Sequence, residues 1–137
     1  MILNNTTEYA LRILAFMMKE PEKMYSASYL IDELKISDKY LRRIMTNLSK
    51  AGFIKSIQGR DGGYVFNKEV DKIFVSDIID VTEGLSKHLA CVLGFENCSD
   101  QNPCALHVIF QDIKNEFVRK ATTIPLSKLD LTDIKRF

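Results

Sequence analysis

The sequence carries almost no net charge: 19 lysines and arginines face 18 acidic residues, a formal charge of +1. That balance removes any argument from global electrostatics for a nucleic-acid or membrane partner, so a basic surface has to be local. No apolar run approaches the roughly 20 residues needed to cross a bilayer. The opening M-I-L-N-N-T-T-E also lacks the basic-then-apolar layout of a secretory signal. No membrane partner and a cytoplasmic location are therefore expected. Cysteine is scarce: three residues, an odd number, fit a secreted disulfide framework poorly and a metal or redox site in a reducing compartment better. The tight paired-cysteine knuckles of zinc fingers are missing, so a structural zinc site is not the natural reading. Walker, Rossmann and zincin motifs are missing too, as is a cysteine nucleophile with its base, so the chain does not read as an enzyme. There is no internal repeat and no low-complexity tract. At 137 residues and 46% hydrophobic content the chain can bury one respectable core, hardly two.

What the chain does have is a concentrated set of soft donors. All three cysteines, Cys91, Cys98 and Cys104, lie in C-V-L-G-F-E-N-C-S-D-Q-N-P-C-A-L-H, which ends at His107. The spacing C-x6-C-x5-C-x2-H suits iron-sulfur or zinc ligation better than a hard cation. The cysteines sit among Asn, Ser, Asp and Gly, which argues against their being small core residues. With three thiols, a fourth ligand has to be His107 or a residue from another segment or subunit. His107 taken alone reads equally well as a packed histidine, and His88 belongs to no motif.

The N-terminal half reads as three helices and a hairpin. Thr6 to Lys19 places Leu11, Leu14, Ala15 and Met18 at helical spacing, with Thr6 or Asn5 as cap and Pro21 as the stop. Ser26 caps a short helix carrying Leu30, Ile31 and Leu34, and Ser37 caps a third, Asp38 to Ala51. Leu41, Ile44, Met45 and Leu48 form the third helix's buried stripe; Lys39, Arg43, Thr46 and Lys50 fall opposite, with Arg42 at the flank. Between Lys35 and Arg60 seven basic residues meet a single acid, Asp38, so this window carries +6 and the remainder −5. Phe53 to Ile57 and Tyr64 to Phe66 alternate as two strands around a glycine-rich tip that carries Arg60. Three helices followed by a hairpin is the order of a winged helix-turn-helix, whose third helix enters the major groove. The candidate set facing double-stranded DNA is Ser37, Lys39, Tyr40, Arg42, Arg43, Thr46, Lys50 and Arg60.

A further short helix is expected over Ser76 to Glu83, ending at Gly84, and a loop over Leu85 to Asn102. Pro103 then opens a long helix to about Ala121, striped by Leu106, Ile109, Phe110, Ile113 and Phe117, with Cys104 and His107 on one face. The stripe predicts a homodimer seam; the competing expectation is packing back on the first helix. After Pro125, Leu126, Leu129, Leu131 and Ile134 predict a short final helix. The fold class expected is mainly α with a small β-hairpin wing. Residues 1–84 form the winged helix-turn-helix, 85–104 the cysteine-bearing loop, and 103–137 the dimerisation helix and tail.

The chain resembles the Rrf2 family of bacterial winged-helix regulators over nearly its whole length. The resemblance is carried by T-T-E-Y-A-L-R at 6 to 12, I-S-D-K-Y-L-R-R-I at 36 to 44, L-S-K-A-G-F-I-K-S-I-Q-G-R-D-G-G-Y at 48 to 64, I-F-V-S-D-I-I-D-V-T-E-G at 73 to 84, and the cysteine cluster. It implies a homodimer, a recognition helix at Asp38 to Ala51, a wing tip at Arg60 to Gly63, and transcriptional control through a 2Fe-2S or 4Fe-4S cluster. Two branches of the family fit. C-A-L-H at 104 to 107 is similar to the branch that regulates iron-sulfur assembly, with three cysteines and a histidine around a 2Fe-2S cluster. Glu8 is similar to the acidic ligand that the partner subunit supplies to a 4Fe-4S cluster in the nitric-oxide-sensing branch. The function expected is a DNA-binding regulator, a repressor, whose DNA affinity follows an iron-sulfur cluster responsive to redox, nitric oxide or iron-sulfur status. The alternative is a metal-free cysteine thiol switch on the same fold.

Overall fold

A computed structural model describes residues 3–129. Its elements run α1 Asn5–Met17, α2 Ala27–Leu34, α3 Asp38–Lys50, β1 Ile54–Ile57, β2 Gly63–Phe66, α4 Val75–Thr82 and α5 His107–Thr123. Single 3-10 turns lie at Val70–Lys72, Leu85–His88 and Leu126–Lys128. The serine caps stand as expected: Ser26 accepts from the Tyr29 amide and Ser37 from the Tyr40 amide. The cap of α1 lies one or two residues earlier than the sequence suggests, because Asn4, not Thr6 or Asn5, accepts from the Thr7 amide. Lys35 at φ 54 and ψ 44 makes the left-handed bend between α2 and α3.

The core confirms the α3 stripe: Leu41, Ile44, Met45 and Leu48 are all buried. α1 is buried more widely than its predicted stripe, with Ala10, Ile13, Phe16 and Met17 also inside. It packs on both α3 and α4 and is therefore central, not amphipathic in the narrow sense. α4 presents Ile78 and Ile79 fully buried.

Two expectations about α5 need correction. The helix starts at His107, not Pro103, so Cys104 lies on the turn before it; the Cys104 carbonyl accepts from the His107 amide at 3.1 Å. The reason is local: Ser99 and Asn102 exchange both backbone hydrogen bonds, and that closed turn holds the chain out of helical register until residue 107. Within the chain α5 packs chiefly on α4, where the competing expectation placed it on α1. Its C-terminal end is sewn down where the Leu126 amide donates to the Ile73 carbonyl at 2.7 Å and Leu126 is fully buried. The predicted tail residues Leu131 and Ile134 lie outside the described residues.

The wing is antiparallel, with Ile54 opposite Phe66 and Ile57 opposite Gly63. Tyr25 and Tyr64 exchange backbone hydrogen bonds of 2.9 and 2.8 Å, so the segment before α2 extends the ribbon sideways and sets the wing's angle against the helices. A Cβ at Gly63 would stand 2.5 Å from the Tyr25 carbonyl oxygen. Gly63→Ala is therefore expected to push these backbones apart and to lower stability by about 1–3 kcal/mol, the usual cost of overpacking, read by denaturant unfolding.

Candidate metal centre and DNA-facing surface

The cysteine segment folds its three sulfurs onto one point. Among the described residues, Cys91, Cys98 and Cys104 form the one group of potential ligands whose donor atoms all lie within 4.8 Å of one another. Cys91 Sγ and Cys104 Sγ are 3.6 Å apart. The loop that brings them together is built from turns: the Gly94 amide donates to the Cys91 carbonyl at 3.0 Å, with Gly94 at φ 81, and Asn102 Nδ2 donates to the Asn97 carbonyl at 3.0 Å. Polar residues that looked like filler in the sequence are thus the loop's staples.

His107, at the first position of α5, turns Nδ1 toward Cys98 Sγ at 3.3 Å. Its Nε2 lies 2.9 Å from Asp100 Oδ1, which also accepts from Gln111 Nε2 at 2.6 Å. An imidazole that donates Nε2–H to a carboxylate keeps a lone pair on Nδ1, facing the sulfurs. This is the arrangement by which second partners orient metal-ligating histidines. Asp100 and Gln111 were not singled out from the sequence, and nothing in their spacing marks them. His107 does not join the three-cysteine group, and neither does Glu8, which occupies the first turn of α1.

The thiols are not equivalent. Burial pulls the Cys91 thiol up, but hydrogen bonds from the Phe95 and Leu93 backbones, with help from the other two sulfurs, outweigh it and bring it down to about 7. A backbone hydrogen bond at Cys104 pulls Cys98 down, but burial and the two neighbouring sulfurs prevail and raise it. About half of Cys91 is therefore thiolate at neutral pH. In metal-free protein, iodoacetamide at pH 7 is expected to label Cys91 before Cys98, and Cys91 labelling should slow as pH falls below 7; peptide mass mapping reads both.

Donor chemistry fits a soft or borderline metal or an iron-sulfur cluster. The space enclosed by the sulfurs, His107, Phe110 and Lys114 is about 10 Å³. Larger open cavities adjoin it, about 220 Å³ beside Cys91, Cys98 and His107 and about 610 Å³ beside Cys98 and Cys104.

On the other side of the molecule, Lys39, Arg42, Arg43, Thr46 and Lys50 are exposed on α3, and Arg60 is exposed at the wing tip. Four of the predicted DNA-facing residues, Ser37, Tyr40, Arg42 and Thr46, make hydrogen bonds within the chain, the Thr46 hydroxyl donating to the Arg42 carbonyl at 2.8 Å. Ser37 spends its hydroxyl on capping α3, and Tyr40 is half-buried, its hydroxyl 3.0 Å from Thr6 Oγ1 and its ring edge-on to Tyr9. Arg42 Nε donates to Asp38 Oδ1 at 2.8 Å, and this hydrogen bond holds its guanidinium above the ordinary arginine range. Arg43 stacks over the Tyr40 ring, 5.2 Å from its centroid, with no carboxylate among the described residues paired to it. The sequence also missed a buried pair, Glu83 with His88, at the base of the cysteine segment.

Comparison with known proteins agrees with this geometry. An HTH-type transcriptional regulator of Aquifex aeolicus (strain VF5) is 33% identical over 90% of this chain and 89% of its own length. The HTH-type transcriptional regulator NsrR of Shouchella clausii (strain KSM-K16) is 30% identical over 82% of this chain and 76% of its own. The structure of CymR, described as the global cysteine regulator of B. subtilis, superposes with a TM-score of 0.75 at 27% identity, covering 92% of this chain and 93% of that one. The family model described as Rrf2, iron-dependent transcriptional regulator, matches residues 3–130. A winged helix with a basic third helix, followed by a cysteine-bearing loop and a long helix, is thus the architecture of a transcriptional regulator, and the chain belongs to the Rrf2 family.

Proposed function

We propose that this protein is a homodimeric repressor in the cytoplasm whose affinity for an operator duplex is set by an iron-sulfur cluster on Cys91, Cys98 and Cys104. The observation that carries this reading is the convergence of three sulfurs within 4.8 Å beside an imidazole held in ligating orientation by Asp100. His107 supplies the fourth ligand; Glu8 of the partner subunit is the alternative donor. A cluster held there supplies a redox-active iron centre. The protein's own part is to gather the thiols, keep Cys91 near its thiolate form and fix the imidazole tautomer.

Residues 1–84 bind DNA, 85–104 sense, and 103–137 dimerise. Lys39, Arg42, Arg43, Thr46 and Lys50 face the major groove and Arg60 the backbone or minor groove. Support for the dimer comes from α5, where Val108, Ile109 and Ile113 are 78%, 60% and 51% exposed in the single chain. They continue into an apolar groove formed with Val75, Phe117, Ala121 and Ile124. Facing recognition helices in such a dimer sit about one turn of DNA apart, roughly 34 Å.

The test is anaerobic purification followed by iron, sulfide and zinc analysis, visible absorption, and affinity for a duplex selected by the protein from random-sequence DNA. Iron with sulfide, and an affinity that changes when both are removed, is the expected result. One specific distance favours a second reading: Cys91 Sγ and Cys104 Sγ at 3.6 Å need only a small approach to form a disulfide. A colourless, iron-free protein whose DNA affinity responds to oxidant would replace the cluster with that thiol switch.

A further inference from the structure

The first turn of α1 touches both halves of the molecule through consecutive residues. On one side, Thr6 Oγ1 lies 3.0 Å from the Tyr40 hydroxyl of α3, and the Tyr9 ring packs edge-on to Tyr40 with centroids 5.4 Å apart. Arg43 in turn stacks on Tyr40. On the other side, Thr7 is fully buried and its Oγ1 donates to Glu83 Oε2 at 2.5 Å. The same carboxylate oxygen accepts from the Asn4 amide at 2.8 Å, and Glu83 Oε1 pairs with His88 Nε2 at 2.5 Å. His88 is three residues before Cys91 and lies against Phe117 of α5, ring centroids 5.4 Å apart.

We propose that Thr7, Glu83 and His88 are positioning residues, forming a buried joint that carries displacement of the cysteine loop into the first turn of α1 and from there, through Thr6 and Tyr40, into the recognition helix. The proposal rests on the regulatory reading above and names its route.

Stability alone does not account for the joint. The side chains of Glu83 and His88 are 1% and 7% exposed, and a carboxylate taken that far from water is seldom better for stability than an apolar residue of the same size. Nor is it needed as a cap, since Asn4 already accepts from the Thr7 amide at 2.8 Å. What the carboxylate adds is direction: three donors, the Asn4 amide and Thr7 hydroxyl at the start of α1 and His88 at the base of the cysteine segment, fix its position at the end of α4, and a hydrogen-bonded hub of this kind tolerates few arrangements. Burial alone would raise Glu83, yet the hydrogen bonds from Thr7, Asn4 and His88 prevail and hold it below the ordinary glutamate range. The carboxylate is therefore anionic and the hub intact at neutral pH. Thr7 has a single hydroxyl proton and three oxygens within reach, those of Glu83, Thr82 and Asn4; the charged one takes it, while the Thr82 hydroxyl donates to the Ile78 carbonyl. If the base of the loop moves, His88 moves with it, and the proton and the α1 turn follow.

The test compares DNA affinity with and without the cluster, using a duplex that the protein itself selects from random-sequence DNA. Thr7→Val keeps shape and removes the hydroxyl; Thr7→Ser restores it. Thr7→Val is expected to keep the visible spectrum and the cluster-free affinity of the wild type while shrinking the cluster-dependent change in affinity by about fivefold or more, and Thr7→Ser to recover it. Equal cluster-dependent changes in wild type and Thr7→Val would overturn the joint. A wild type whose affinity ignores the cluster rejects the regulatory reading instead. The joint is then judged in cluster-free protein by amide exchange. There His88→Gln and Glu83→Gln must speed exchange in residues 38–42 of α3 as well as in 5–8, and unchanged protection of α3 would overturn it.

Discussion

Cys104→Ser is expected to leave the protein without the iron that the proposed cluster would supply. Cys104 stands at the point where the loop meets α5, 3.6 Å from Cys91, and the site has only three thiols to offer. A serine hydroxyl does not ionise near neutral pH and is a hard donor, so the substitution leaves two soft ligands for a group that needs several. Iron and sulfide are expected at background, and the DNA affinity is expected to equal that of cluster-free wild type whatever the reductant. Folding should survive, because the three cysteines are only part-buried on a loop outside the hydrophobic core. Asp100→Asn works one layer out. It weakens the acceptor that orients His107 and should reduce metal retention by about 10–100-fold. Comparing His107→Ala with Glu8→Ala then assigns the fourth ligand: the variant that loses the visible spectrum marks it. Iron retained in Cys104→Ser at the wild-type level would remove the cysteine group as the site.

The parts of this molecule that could be read in advance are those whose information is local. Leu41, Ile44, Met45 and Leu48 repeat at helical spacing and are buried together, and Ser26 and Ser37 cap the helices that follow them. The wing follows from alternation and glycine placement. Reading failed where tertiary contacts overrode local rules. Pro103 is a good first-turn residue, yet the Ser99–Asn102 pairing delays α5 by four residues and takes Cys104 off the helix. Tyr40, read from the sequence as DNA-facing, also has partners that no local spacing reveals, its hydroxyl meeting Thr6 and its ring Tyr9, residues 34 and 31 positions away in the chain. The Glu83–His88 pair has no helical or strand spacing to betray it, since Gly84 breaks the register between them at φ 86. The cysteine cluster was legible as chemistry from residue type alone. Its geometry was not, because turns made by Gly94, Asn97, Ser99 and Asn102 set it.

Arg43→Ala is expected to weaken operator binding by about 5–150-fold, the range of about 1–3 kcal/mol for an arginine that reads a base pair, the role proposed for it. The two adjacent arginines of α3 separate this prediction from a simple loss of charge. Arg42 is already committed to Asp38 at 2.8 Å on the same helix, so much of its charge is neutralised before DNA arrives. Arg43 has no such partner among the described residues and lies over the Tyr40 ring, 5.2 Å from its centroid, a contact that preorganises the guanidinium at small entropic cost. Arg42→Ala should therefore cost less than Arg43→Ala although both remove one positive charge. Arg60 differs again. It sits exposed at the tip of the wing among glycines, and among the described residues it makes no ion pair. Arg60→Ala is expected to weaken binding uniformly across sequences and to reduce the slope of log affinity against log salt by about one, as loss of a phosphate contact does. Titrations of the three variants at several salt concentrations, on the selected duplex and on unrelated DNA, distinguish these roles. Arg43→Ala should narrow the gap between the two DNAs and Arg60→Ala should not. If Arg43→Ala and Arg60→Ala both bind the selected duplex as tightly as wild type, α3 and the wing are not the DNA-facing surface.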